Sequence, residues 1–193
     1  MRVVAIDGST IAGGSVARAV ETAAKAAARA GAEVVRIRLY DAFRAACLDC
    51  GACRRGSPCP LPEGLAPLLE AVENADGLIV GHPPARGFVA DEMKTLLDRA
   101  IRRFSNGGFN SVAAVDGRGG RRAIVITQSG VSLPEPLARL VEQRSPIRRC
   151  LQSRGVETVG SLVVGSQWGD PLHRDLADGR ANVLGKRLVR AIA

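Results

Sequence analysis

Five short apolar runs, each followed by a segment of helical character, dictate what this chain can fold into. Val3 to Ile6 is the first run, closed by Asp7-Gly8. The Ala-rich stretch Ser15 to Ala30 follows as a helix stopped by Gly31. Val34 to Leu39, Gly77 to Gly81, Ala123 to Thr127 and Thr158 to Val164 are the remaining strands. Gly77 to Gly81 reads GLIVG, apolar throughout, as a strand covered on both faces requires. Helices are expected over Leu65 to Asn74, Asp91 to Phe104, Pro136 to Arg154 and Asp170 to Ile192. In the second of these, Met93, Leu96, Leu97 and Ile101 recur at helical spacing. Such alternation predicts an α/β protein: a five-stranded parallel sheet, helices on both faces, right-handed crossovers. With 193 residues, no internal repeat and no linker, residues 1–193 are expected to form one domain. The Gly/Asn-rich stretch Ser105 to Gly120 reads as a long loop.

In open parallel sheets, ligands sit beyond the carboxyl ends of the strands. The loops beginning at Asp7, Tyr40, Gly81, Gln128 and Gly165 therefore compete for the active site. One of them, at about 46–61, carries Cys47, Cys50, Cys53 and Cys59 followed by Pro60, a C-x2-C-x2-C-x5-C-P run. Steps of three let neighbouring thiolates converge on one small inorganic object, and ferredoxin runs open the same way. An iron–sulfur cluster is the leading reading. Zinc and free or redox-active thiols stay open, although zinc sites usually take paired ligands from two separate knuckles. A disulfide framework does not suit a chain of this size with no secretory leader.

Composition removes several function classes. The net charge of +8 rests almost wholly on arginine scattered in small doublets, with only Lys25, Lys94 and Lys186 as lysines. Nucleic-acid binding wants a concentrated basic stripe, and single-strand binding adds stacking aromatics. Four Phe, one Trp and one Tyr do not supply them, so no nucleic-acid partner is expected. No run of eighteen apolar residues exists, so no membrane partner is expected either. The chain enters its first strand without a cationic leader, and a reduced, cytoplasmic setting is expected. Neither a Ser-His-Asp order nor an H-E-x-x-H motif is present to support hydrolysis.

The loop Asp7 to Ser15 is built of glycine and small hydroxyl residues and leads straight into a helix, an arrangement suited to phosphate. It is neither a Walker A loop nor a G-x-G-x-x-G fingerprint, and an ordinary tight turn remains the alternative. At this point the chain resembles the flavodoxin-like NADPH-dependent FMN reductase superfamily, and within it the iron–sulfur flavoproteins. The resemblance covers Gly8-Ser9 and Gly13 to Ser15, the cysteine loop, Ala75 to Pro83, Lys94 to Arg99 and Leu184 to Leu188.

The resemblance implies a flavodoxin-like sheet of order 2-1-3-4-5, bound FMN, and a homodimer or homotetramer. It also implies a [4Fe-4S] cluster on Cys47, Cys50, Cys53 and Cys59. The electron donor would be NAD(P)H or ferredoxin, and the acceptor a small molecule. Ser9, Gly13, Gly14 and Ser15 would hold the FMN phosphate; Pro83, Arg86, Gly87, Thr127, Ser129 and Gly130 would approach the flavin ring. Ile11 stands where the family often has arginine, with Arg18 as the candidate replacement, and Ala85 stands where it has tyrosine. His82 and Arg86 are the candidate catalytic residues. Cys150, His173 and Trp168 have bland readings as a buried thiol, a surface or capping residue, and a packing or ligand-covering residue. A cluster-free FMN or quinone reductase, and a flavin-less cluster- or zinc-binding module, are the rival functions.

Overall fold

The computed structural model describes residues 1–42, 65–85, 88–89, 93, 96, 120–129, 136–137, 140, 145–152, 155–165 and 171–193. Its elements run in the expected alternation. β1 (Arg2–Asp7), α1 (Ser15–Arg29) and β2 (Glu33–Arg38) come first, followed by α2 (Leu39–Ala42) and α3 (Leu65–Glu73). β3 (Gly77–His82) leads into two short strands, β4 (Pro84–Ala85) and β5 (Phe88–Val89). β6 (Arg122–Ser129), α4 (Pro146–Gln152), β7 (Glu157–Gly165) and α5 (Pro171–Ile192) complete the chain.

The main sheet is parallel throughout, with order β2-β1-β3-β6-β7. Counting only these five strands, that is the 2-1-3-4-5 order of a flavodoxin-like sheet. Three details were not legible beforehand. The helix expected over Pro136 to Arg154 is broken at non-helical Ser145, before Pro146 opens α4. Leu39 and Tyr40, read as the end of the second strand and the start of its loop, belong to α2. The Pro84–Ala85 and Phe88–Val89 segments pair antiparallel as a small separate sheet. Met93 and Leu96 of the expected helix at 91–104 are helical and fully buried; the rest of that segment lies outside the described residues.

Strand alternation sends successive side chains to opposite faces, so the sheet divides the core in two. Val3, Ala5, Ile79, Ile124, Ile126, Leu162 and Val164 meet α1 and α5. Val4, Ile6, Leu78, Val80, Ala123 and Val125 meet Leu39, Leu68, Met93, Leu96, Ile147 and Leu151 on the other side. The alanine content of α1 has a packing reason. Ala19, Ala23, Ala24, Ala26 and Ala27 are buried there, and small side chains let α5 come close. The approach culminates at Gly185, where an added Cβ would fall 2.2 Å from the carbonyl oxygen of Ala23. The close helix pair holds α1 firmly, and so fixes where its N-terminus points. At its other end, α1 stops as expected: Gly31 has φ +97°, and the N–H of Ala32 reaches back to the Ala27 carbonyl at 3.2 Å.

Candidate functional site

Polar burial marks the site. Among the described residues the buried polar side chains are Ser9, His82, Thr127, Ser129 and Ser145. All but Ser145 lie at or just beyond the carboxyl ends of β1, β3 and β6, the three central strands. Their concentration lies along the edge where open parallel sheets take their ligands.

The loop from β1 to α1 forms its floor. Gly8 N–H donates to the Gly81 carbonyl (2.8 Å), which pins the loop to the end of β3. No side chain fits at Gly8: a Cβ would stand 2.8 Å from Met93 Cε and 2.9 Å from the Gly81 oxygen. Gly81 is equally constrained, since a Cβ there would strike Val20 and Val16 of α1. Gly13 takes φ +71°, the left-handed turn that swings the chain into the helix. Gly14 then caps α1 with backbone alone, without a side-chain cap, and its N–H donates to the Ile11 carbonyl (3.3 Å). The first intrahelical bond runs from Arg18 N–H to Gly14 carbonyl at 2.9 Å. The N–H groups of Ser15, Val16 and Ala17 therefore have no acceptor within the helix. No acidic residue occupies that first turn. Free N–H groups and the positive end of the helix dipole make an anion cradle, so the residues present fit the phosphate end of FMN.

Around the cradle the charges are arranged in a way the sequence did not announce. Arg18 is committed elsewhere: its Nη2 lies 2.7 Å from Asp178 of α5, in the α1–α5 interface. The expected replacement for the missing loop arginine is therefore taken. Arg38, at the end of β2, comes closer to the loop. Its Nη2 donates to the Thr10 carbonyl (3.2 Å), its Nη1 bonds both oxygens of Asp41, and Tyr40 lies under the guanidinium at 5.5 Å. The register Asp7↔Arg38 is what brings them together. Ile11 is exposed. Ser9 N–H donates to Asp7 Oδ1 at 2.9 Å, and the Ser9 hydroxyl donates to the same oxygen.

His82 closes β3 on the face that carries Leu78 and Val80 and is only 4% exposed. Neither ring nitrogen has a hydrogen-bond partner among the described residues. Burial pushes its pKa from 6.5 down to about 4; the Pro83 backbone opposes that shift without reaching hydrogen-bond geometry. The imidazole is thus neutral, with one nitrogen to donate and one to accept. Thr127 pairs with His82 across the β3–β6 register, and Pro83 follows directly. Ser9, Gly13, Gly14, Ser15, His82, Pro83, Thr127 and Ser129 thus gather on one edge. His173 opens α5 and is exposed; Cys150 lies in α4, half-buried. Arg86, Gly87, Gly130, Trp168, Cys47, Cys50, Cys53 and Cys59 lie outside the described residues. Asp7 and Arg38 were missed. An Asp ending a strand two positions before Ser is an Asx-turn signal, and would have found the first.

Residues 1–129 match the NADPH-dependent FMN reductase family. The chain belongs to that family. It is also 33% identical over 100 residues to an iron–sulfur flavoprotein of Methanocaldococcus jannaschii, covering 52% of each chain. A second iron–sulfur flavoprotein, from Methanosarcina thermophila, is 30% identical over 124 residues, covering 63% of this chain and 65% of the relative. The chain thus matches between half and two thirds of the length of these curated relatives. Among solved structures, an NAD(P)H:quinone oxidoreductase from Methanothermobacter marburgensis superposes with a TM-score of 0.77 at 21% identity, over 97% of this chain and 96% of that one. That likeness is one of fold. No helix among the described residues is long and apolar enough to cross a membrane.

Proposed function

We propose that this chain is an FMN-dependent oxidoreductase with a [4Fe-4S] cluster on Cys47, Cys50, Cys53 and Cys59, passing electrons between NAD(P)H or ferredoxin and a small acceptor. The observation that carries the flavin part is the row of buried Ser9, His82, Thr127 and Ser129 beside an uncapped helix start. The spacing of the four cysteines carries the cluster part, and the names of the two curated relatives support it. The segment holding those thiols follows α2, whose preceding strand ends with Arg38 on the Thr10 carbonyl. α2 therefore begins at the same edge of the sheet as the anion cradle.

When bound, FMN accepts a hydride as an electron pair and releases single electrons, which suits a one-electron cluster. The chain's own residues do the rest. The N–H groups at the start of α1 and the Ser15 hydroxyl would hold the phosphate. Pro83, Thr127 and Ser129 would border the ring, the role that the family resemblance also gives to Arg86, Gly87 and Gly130. Neutral His82 keeps a proton on one nitrogen and a lone pair on the other, available to a ligand edge. Ala85 stands where the family has tyrosine, so the sequence offers no aromatic platform at that position. Assembly as a homodimer or homotetramer belongs to the same proposal.

Anaerobic purification followed by iron, sulfide, zinc and released-flavin analysis tests it. The expected result is about four irons and one FMN per chain, with iron lost and the fold kept in Cys53→Ser. Iron unchanged by that substitution overturns the cluster. FMN without iron leaves a cluster-free FMN or quinone reductase, and iron without flavin leaves a cluster carrier.

A further inference from the structure

The charge balance of the anion cradle bears on which flavin it selects. Among the described residues beside the loop, Asp7 contributes one negative charge inside it, while Arg38 on the rim is offset by Asp41. Arg18, the nearest helix cation, is offset by Asp178. Among the described residues beside the loop, no cation is thus left uncompensated for a phosphate dianion. Hydrogen-bond supply points the same way. Ser9 has a single hydroxyl proton and a single N–H, and both are donated to Asp7 Oδ1. A phosphate oxygen must compete with that carboxylate for both donors while standing close to its charge. The first-turn N–H groups of Ser15, Val16 and Ala17 remain to hold it.

We propose that Asp7 is a specificity-determining residue of the cradle: its carboxylate weakens the hold on a phosphate dianion, so the site discriminates only weakly between FMN and riboflavin. The proposal rests on the flavin reading above and deepens it. Asp7→Asn keeps an acceptor for the Ser9 N–H, removes the charge, and competes less strongly for the hydroxyl proton. Both effects favour phosphate.

Equilibrium dialysis of the full chain against FMN and against riboflavin, with bound flavin measured by chromatography, tests the assignment. In the wild type, FMN is expected to bind no more than about tenfold tighter than riboflavin, a difference of about 1.4 kcal/mol. Asp7→Asn is expected to tighten FMN by about tenfold or more and leave riboflavin within about twofold. A change in general loop order would move both flavins together, so the ratio separates charge from structure. An unchanged or lower FMN preference in Asp7→Asn overturns the proposal, as does a wild-type preference above about a hundredfold. The wild-type ratio decides alone if the variant does not fold. Binding of neither flavin to the wild type, with FMN and riboflavin both absent from the dialysed protein, overturns the flavin reading itself and the proposal with it.

Discussion

His82 should make this fold acid-sensitive well above the pH at which carboxylates titrate. The imidazole is buried with both nitrogens unpartnered among the described residues, and burial holds it neutral down to about pH 4. In the unfolded chain the same group titrates near 6.5. Because the folded value is the lower one, the unfolded state binds the extra proton between the two values. Stability is therefore full above pH 6.5 and falls as the pH drops toward 4. At 1.36 kcal/mol per unit, a displacement of about 2.5 units amounts to about 3 kcal/mol over the whole window. About 2 kcal/mol of that is gone by pH 5, before most carboxylates begin to protonate. Against a total of about 5–15 kcal/mol for a domain, such a loss is readily measured.

Urea unfolding followed by circular dichroism at pH 7.5, 6.5, 5.5 and 5.0, for wild type and His82→Leu, isolates this contribution. Every other group titrates alike in both proteins, so the difference between their pH slopes belongs to His82. The wild type is expected to lose about 2 kcal/mol more than the variant between pH 7.5 and 5.0. Parallel slopes would refute the reasoning, because they would mean that the imidazole ionises in the folded state as freely as in the unfolded one.

Two glycines on α5 should respond in opposite directions. Gly185→Ala places a Cβ against the Ala23 carbonyl and must separate α1 from α5, at a cost near the upper end of about 1–3 kcal/mol. Gly179→Ala points into open space and gains helix propensity, raising stability by about 0.5–1 kcal/mol. Thermal melts of the two variants check the pair, and equal shifts would contradict the packing described. Arg38→Ala should cost about 1 kcal/mol globally, since its ion pair with Asp41 is exposed on the carboxylate side. It should nevertheless speed amide exchange at Thr10 to Ala12, which loses its tie to β2; unchanged exchange there would show that Arg38 does not hold the loop.

What the sequence made legible follows the reach of each signal. Strand and helix identities were local, carried by runs such as Gly77 to Gly81 and by the alanines of α1, and the boundaries of the main-sheet strands fell within a residue or two; the helix read over Pro136 to Arg154 was the exception, since α4 begins only at Pro146. The β4–β5 pair was hidden because Pro83-Pro84-Ala85 shows neither alternation nor β-branching, and two-residue strands have too few side chains to leave a pattern. The site was legible where one loop builds it, as with Gly13, Gly14 and Ser15. Its charge was not. Arg38 meets Thr10 from 28 positions away, only because β2 pairs in register with β1; Arg18 is drawn off by Asp178 at a distance of 160 positions. A motif match assigns phosphate binding to the loop whatever surrounds it, whereas affinity depends on those non-local partners. In this protein the backbone of the cradle is built for an anion, and Asp7 sets how strongly it holds one. Backbone geometry and local charge can therefore vary independently within one cofactor site, and Asp7→Asn changes the second while leaving the first intact.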